Sequence, residues 1–179
     1  MTPTSFGKLI NKAGNGNYKI SDAPEKLIRY ITRTNGRPAN DLISWGGISI
    51  LEYSGIDSII EQIYLAQRLH TRKGSFGRYM DHEIFSFSSE GEALITANKL
   101  ELDRLARKMA YDFFDTDHGQ IVYAIHSPFK EGKHLHIHFA LNTVKYDTGN
   151  KRRENRRQTA EREARFQRII ANEIETGFI

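Results

Sequence analysis

The chain has 179 residues, 39% of them hydrophobic and 11% aromatic, which suits one domain with a real core. It contains no cysteine; disulfides and thiolate metal sites are excluded, and a reducing compartment fits. The net charge is +4, no apolar run approaches the ~20 residues of a membrane span, and the N-terminal MTPTSFGKLINKAG lacks the apolar stretch of a secretory signal.

Asp22 reads as a helix start, with Pro24 in the first turn and Glu25 at the capping-box position. This helix is expected over about 23–34, stopping at Asn35-Gly36. Leu27, Ile28 and Ile31 form its buried stripe. Tyr30 falls about 110° from the centre of that stripe, which puts its ring at the edge of the core with the hydroxyl outward. Lys26, Arg29 and Arg33 flank it. Residues 42–53 (LISWGGISILEY) read as a strand, broken or bulged at Gly46-Gly47. Ile56, Ile59, Ile60 and Ile63 give a helical stripe up to about residue 70. Residues 72–79 read as loop and 82–88 (HEIFSFS) as a strand. Leu102, Leu105, Ala106, Met109 and Phe113 mark one long helix over about 91–114. Residues 120–126 (QIVYAIH) and 133–144 read as a hairpin around a turn with Pro128 and Gly132. A last helix spans about 153–176, with Phe166, Ile169, Ile170 and Ile174 inward. Long helices among strands, with one pair certainly antiparallel, predict an α+β fold: a central antiparallel sheet of about five strands with helices packed on it.

Four of the seven histidines fall within 13 residues: His126, His134, His136 and His138. The last three alternate with Leu135, Ile137, Phe139 and Leu141, so on a strand they share one face while the apolar residues enter the core. The hairpin folds His126 back against that row, and cross-strand neighbours lie about 5 Å apart. A core gains nothing from burying several uncompensated polar groups at roughly 1–3 kcal/mol each. A row of imidazoles is a ready metal platform, and three neutral ligands leave positions open for water or substrate; a solvated, half-polar strand face is the plainer alternative. Asn142, four residues past His138 on the same face, can hydrogen-bond a substrate or a ligand.

Charge is unevenly spread. Residues 151–168 hold eight Lys/Arg against three Glu, and residues 1–40 hold seven against two acids. Such runs are either solvated helix faces or attract polyanions; beside a metal site they point to nucleic acid and to phosphoryl chemistry.

HLHIHFALN resembles the third motif of conjugative relaxases, the HUH endonucleases of the MOBP and related mobilisation class, in which a histidine and a short polar turn precede HxHxHxxxN. KLIRYITRTNG resembles the family's first motif, whose helix carries a nucleophilic tyrosine, and HEIFSFSSEGEALI resembles the strand and helix start before the metal motif. The resemblance covers nearly the whole chain. It implies site- and strand-specific nicking and rejoining of DNA at a plasmid or integrative-element transfer origin, through a 5′-phosphotyrosine adduct. It implies Tyr30 as nucleophile, His126, His136 and His138 as metal ligands, and His134 as an alternative ligand or a residue behind them. Asn142, Ser75, Arg29 and Arg33 are the expected substrate-binding residues. It also implies Mg²⁺ or Mn²⁺ in use, although three imidazoles bind other divalent ions more tightly. Single-stranded DNA, accessory relaxosome proteins and a coupling protein are the implied partners, and a bacterial cytoplasm, with transfer alongside the DNA, the implied location. The chain departs from the family after the first histidine. Ser127-Pro128-Phe129 stand where the family has Thr-Asp or His-Asp, and Glu131 is the nearest substitute acid. The 179 residues read as one nicking domain, complete or the N-terminal part of a longer protein.

Three rivals remain. A rolling-circle initiator or HUH transposase shares the metal motif but places its tyrosine on a helix after it, where this chain has none. A hydrolase using metal-bound water leaves Tyr30 structural. A non-catalytic metal- and DNA-binding protein of a mobile element uses the histidines only for stability.

Overall fold

The computed structural model describes residues 5–12, 16–70, 76–128 and 133–176. Ten regular elements follow in chain order: β1 (Gly7–Asn11), α1 (Ala23–Ile31), β2 (Leu42–Ile48), α2 (Ile56–Gln67), β3 (Met80–Phe87), α3 (Ser89–Ala97), α4 (Leu102–Asp117), β4 (Ile121–His126), β5 (His136–Asn142) and α5 (Arg156–Thr176). The strands form one sheet in the order β1-β3-β5-β4-β2, with every neighbouring pair antiparallel. The fold is α+β, as the pattern of helices and strands predicts.

Alternation along the central strands divides the sheet into two unlike faces. Phe85, Phe87, Tyr123, Ile125, Ile137, Phe139 and Leu141 pack with Leu105, Met109 and Phe113 of α4 and with Phe166 and Ile170 of α5. The other face carries smaller residues, Val122, Ala124 and Ala140, under Leu27, Ile28 and Ile31 of α1 and Ile59, Ile60 and Ile63 of α2. Burying a side chain of this size contributes about 1.5–3 kcal/mol, so each face holds its own helix layer. The alanines leave room there for imidazoles.

Several boundaries differ from those read in the sequence, for local reasons. The edge strand β1 was not expected. It is short and its pattern weak, but α5 covers its outer edge: Phe6 N donates to Gln167 Oε1 and Leu9 N to Glu163 Oε2, both at 2.8 Å. The single helix expected over 91–114 is two, because Asn98 caps α3, its Nδ2 donating to Leu94 O at 2.7 Å, and Lys99 turns left-handed at φ 50. The strand from 42 ends at Ile48, before Ser49 at φ 59. The irregularity lies between Leu42 and Ser44 rather than at Gly46-Gly47. Gly46 is required for space: a Cβ there would lie 2.4 Å from Tyr123 Oη. No capping box starts α1, since Asp22 makes no side-chain cap and instead pairs with Lys26 at 2.7 Å. That helix stops at Ile31, and Arg33 turns back at φ 57. No helix among the described residues is long and apolar enough to cross a membrane.

Candidate metal centre

The antiparallel register of β4 and β5 sets His126 directly opposite His136 and Ala124 opposite His138. The three rings leave the sheet on the α1–α2 side. Their centroids lie 5.3 Å (His126–His136), 4.5 Å (His126–His138) and 4.8 Å (His136–His138) apart. One nitrogen from each lies within 4.8 Å of the others.

The bonding partners assign the ring nitrogens. His136 Nδ1 donates to the His134 carbonyl at 2.8 Å, which leaves its Nε2 as a lone pair. His138 Nδ1 lies 2.8 Å from His82 Nε2, and His138 Nε2 is buried without a partner. His126 Nε2 donates to the Ile31 carbonyl at 2.7 Å, and its Nδ1 accepts from Arg33 Nη2 at 3.0 Å. Burial pushes His126 down to about 4 and His138 well below its ordinary value. Both are therefore neutral at neutral pH, the form a metal requires. Three convergent imidazoles, one with a buried nitrogen that no protein group meets, fit a divalent cation. A cation taken by His126 through Nδ1 must replace Arg33 at that lone pair.

Tyr30 stands beside this cluster. Its ring meets His138 edge-on at 5.8 Å and His82 at 6.4 Å. The guanidinium carbons of Arg33 and Arg37 lie 5.1 and 5.3 Å from its ring centre. Arg33 is clamped by Asp41 at 2.9 and 2.6 Å and donates to the Tyr30 carbonyl at 2.8 Å. These bonds over-determine its left-handed backbone. Beside Tyr18, Ala23, Lys26 and Leu27, Tyr30 lines a cavity of about 260 Å³.

Other expected residues fall elsewhere. His134 precedes β5 and is half exposed, its Nδ1 3.8 Å from Glu92; only its backbone carbonyl serves the cluster, behind His136. Asn142 is buried, its Oδ1 accepting from Gln67 Nε2 at 3.2 Å and its Nδ2 donating to Gln120 Oε1 at 3.0 Å, so it braces the end of β5 instead of presenting a free amide. Arg29 points to Glu25 and Asp57. Ser75 and Glu131 lie outside the described residues. Three neighbours of the cluster went unread in the sequence. Asp41 brings a carboxylate close to His126, its Oδ2 3.9 Å from His126 Nδ1. His82 and Tyr18 form a line behind His138, with His82 Nδ1 2.6 Å from Tyr18 Oη. No local signal marked His82, whose strand also carries Asp81 and Glu83.

A family model described as Relaxase: MobA/VirD2-like, nuclease domain, matches residues 30–174. No curated protein matches the chain.

Proposed function

Because the chain belongs to the MobA/VirD2-like relaxase nuclease family, we propose that it nicks and rejoins one DNA strand at a transfer origin with the Tyr30 hydroxyl as nucleophile. Tyr30 Oη attacks the scissile phosphorus. The P–O3′ bond breaks, and a 5′-phosphotyrosine and a free 3′-hydroxyl result, the phenolic proton passing to O3′ through solvent. The reverse attack by a 3′-hydroxyl restores the diester and the phenol. A phenol of ordinary pKa about 10 needs cations nearby to act as a nucleophile, and Arg33 and Arg37 over the Tyr30 ring stabilise both the phenolate and the phosphate. His126, His136 and His138 hold a divalent ion, Mg²⁺ or Mn²⁺ in use, which supplies charge stabilisation at a phosphate oxygen. Asp41 keeps Arg33 in place. Single-stranded origin DNA is the substrate, with accessory relaxosome proteins and a coupling protein as partners.

One observation carries this reading: Tyr30 of the first motif and His138 of the third, about a hundred residues apart in the chain, meet with ring centres 5.8 Å apart. The test incubates the protein with Mn²⁺ and single-stranded oligonucleotides from the transfer origin of its own element. A protein–DNA band that survives denaturation, and disappears with Tyr30→Phe and with chelator, is expected. A band that persists in Tyr30→Phe overturns the assignment of the nucleophile.

A further inference from the structure

We propose that His82 and Tyr18 form a positioning relay that sets the tautomer and aim of His138, so that its Nε2 lone pair faces the cation. The inference rests on the metal reading of the histidine cluster. It concerns two residues that touch neither the ion nor the phosphate.

The relay is built by the sheet. His82 on β3 pairs with Ala140 on β5, and the next position, Ile84, pairs with His138. His82 and His138 are therefore diagonal neighbours on one face, within reach of each other across Ala140. Their rings lie nearly parallel, 27° apart with centroids at 5.1 Å, and the facing nitrogens are 2.8 Å apart. Both rings are buried. The Tyr18 ring closes the line edge-on to His82 at 5.8 Å, its hydroxyl 2.6 Å from Nδ1. Backbone pairing fixes it there: Tyr79 N donates to the Tyr18 carbonyl at 2.7 Å, one residue before β3 begins.

Only two proton arrangements satisfy this line. In the first, His82 Nε2–H donates to His138 Nδ1, and Tyr18 donates to His82 Nδ1. His138 then carries its proton on Nε2, a buried donor that no acceptor meets and that cannot take an ion. In the second, His138 Nδ1–H donates to His82 Nε2, and His82 Nδ1–H donates to Tyr18 Oη. His138 Nε2 is then a bare lone pair beside His126 and His136. The second arrangement alone lets His138 bind an ion. A hydrogen bond behind a ligating imidazole also raises its basicity and fixes its orientation. The Tyr18 hydroxyl hydrogen is left free to point away from His82. Tyr18 lines the cavity that Tyr30 also lines, so the relay runs from the ion's ligand to the chamber of the proposed nucleophile.

The test needs no DNA and no turnover. Mn²⁺ binding to the full chain is measured by electron paramagnetic resonance of the free ion, for the wild type and for His82→Leu, His82→Gln and Tyr18→Phe. His82→Leu keeps the bulk but removes the acceptor, and should weaken Mn²⁺ by about 10-fold or more. His82→Gln places Oε1 where Nε2 accepts, and should return affinity to within about threefold of wild type; Tyr18→Phe should weaken it by about threefold. A purely packing role predicts the opposite order, with leucine tolerated in the apolar surroundings and glutamine not. Wild-type affinity in His82→Leu, or equal losses in the leucine and glutamine variants, overturns the relay. If His82→Leu does not fold, Tyr18→Phe and His82→Gln decide: unchanged binding in the first together with a loss of 10-fold or more in the second overturns it. Absence of Mn²⁺ binding by the wild type overturns the metal reading and the relay together.

Discussion

On the sheet face covered by α4 and α5, Arg152 is buried yet meets Asp81, Glu154 and Asp117 at 2.6, 2.6 and 3.0 Å. Arg162 beside it meets Asp112, Asp117 and Glu154. On the opposite face, under α1 and α2, the buried polar groups are imidazoles and, at one end, the amides of Asn142, Gln67 and Gln120; His138, His82 and Tyr18 bond in a line. In the first set each buried cation meets carboxylates. Burial pushes the Glu83 carboxyl up to about 8, and Glu154 beside it adds to the rise; Glu83 Oε2 and Glu154 Oε1 lie buried without a hydrogen-bond partner among the described residues, but they converge on no common centre with further ligands. The second set stays open at His138 Nε2, among nitrogens that converge. Buried polarity alone does not mark a site. Polarity that its neighbours leave unsatisfied, in a geometry with a common centre, does.

The largest test of that contrast is Arg152→Met. It leaves Asp81, Asp117 and Glu154 buried around an apolar chain. Breaking a buried pair in this way costs about 3–5 kcal/mol, so chemical denaturation should show a loss of that size. Mn²⁺ affinity, measured at a temperature where the variant is folded, should stay within about twofold of wild type. A folded Arg152→Met protein that no longer binds Mn²⁺ would mean that the two faces are not separable. His136→Ala is the converse. His136 is only half buried, and its one protein bond goes to the neighbouring His134 carbonyl. Removing it should change stability by less than about 1 kcal/mol while weakening Mn²⁺ by more than about 100-fold, beyond what loss of a supporting residue gives. Titration of the ion alone separates the two variants.

The two faces were also unequally legible in the sequence. The apolar face announces itself by alternation: Ile137, Phe139 and Leu141 can point only one way. The histidine triad was readable for the same reason, because period two on β5 and a short return from β4 leave few other placements. What escaped was set by contacts distant in sequence. Asp41 and Arg33 reach His126 only because α1 ends at Ile31 and the loop after it folds back. His82 meets His138 through the pairing of β3 with β5, and Tyr18 reaches His82 through the Tyr79 N–Tyr18 O bond; nothing local to either residue shows it. Asn142 was read as facing substrate because it shares the face of His138. The face is right, but α2 covers that end of it, and Gln67 and Gln120 take up the amide. The split between α3 and α4 was invisible because Asn98 and Lys99 break the helix without glycine or proline.

The smallest expected effect, and the one that sets the faces against each other most directly, is the response of metal-free stability to pH. His82 and His126 are pushed by burial from 6.5 to about 4. Below pH 6.5 the unfolded chain takes up protons that the folded chain refuses. The stability these rings give is complete above 6.5 and is lost as pH falls toward 4. Glu83 works the other way: its folded value is raised from 4.5 to about 8, so the folded chain keeps a proton that the unfolded chain has released. Its contribution is complete below 4.5 and is lost as pH rises to 8. Urea midpoints measured from pH 4 to pH 8 should therefore carry an acid limb from the two rings and an opposing fall from Glu83, which Lys151, pushed down to about 7 by burial, counters above pH 7. Glu83→Gln removes the titrating group, so the wild-type midpoint should fall relative to the variant's as pH rises from 4.5 toward 8, with the acid limb alike in both. A difference between the two proteins that does not change over that range would show that Glu83 is not the group that titrates on the ionic face.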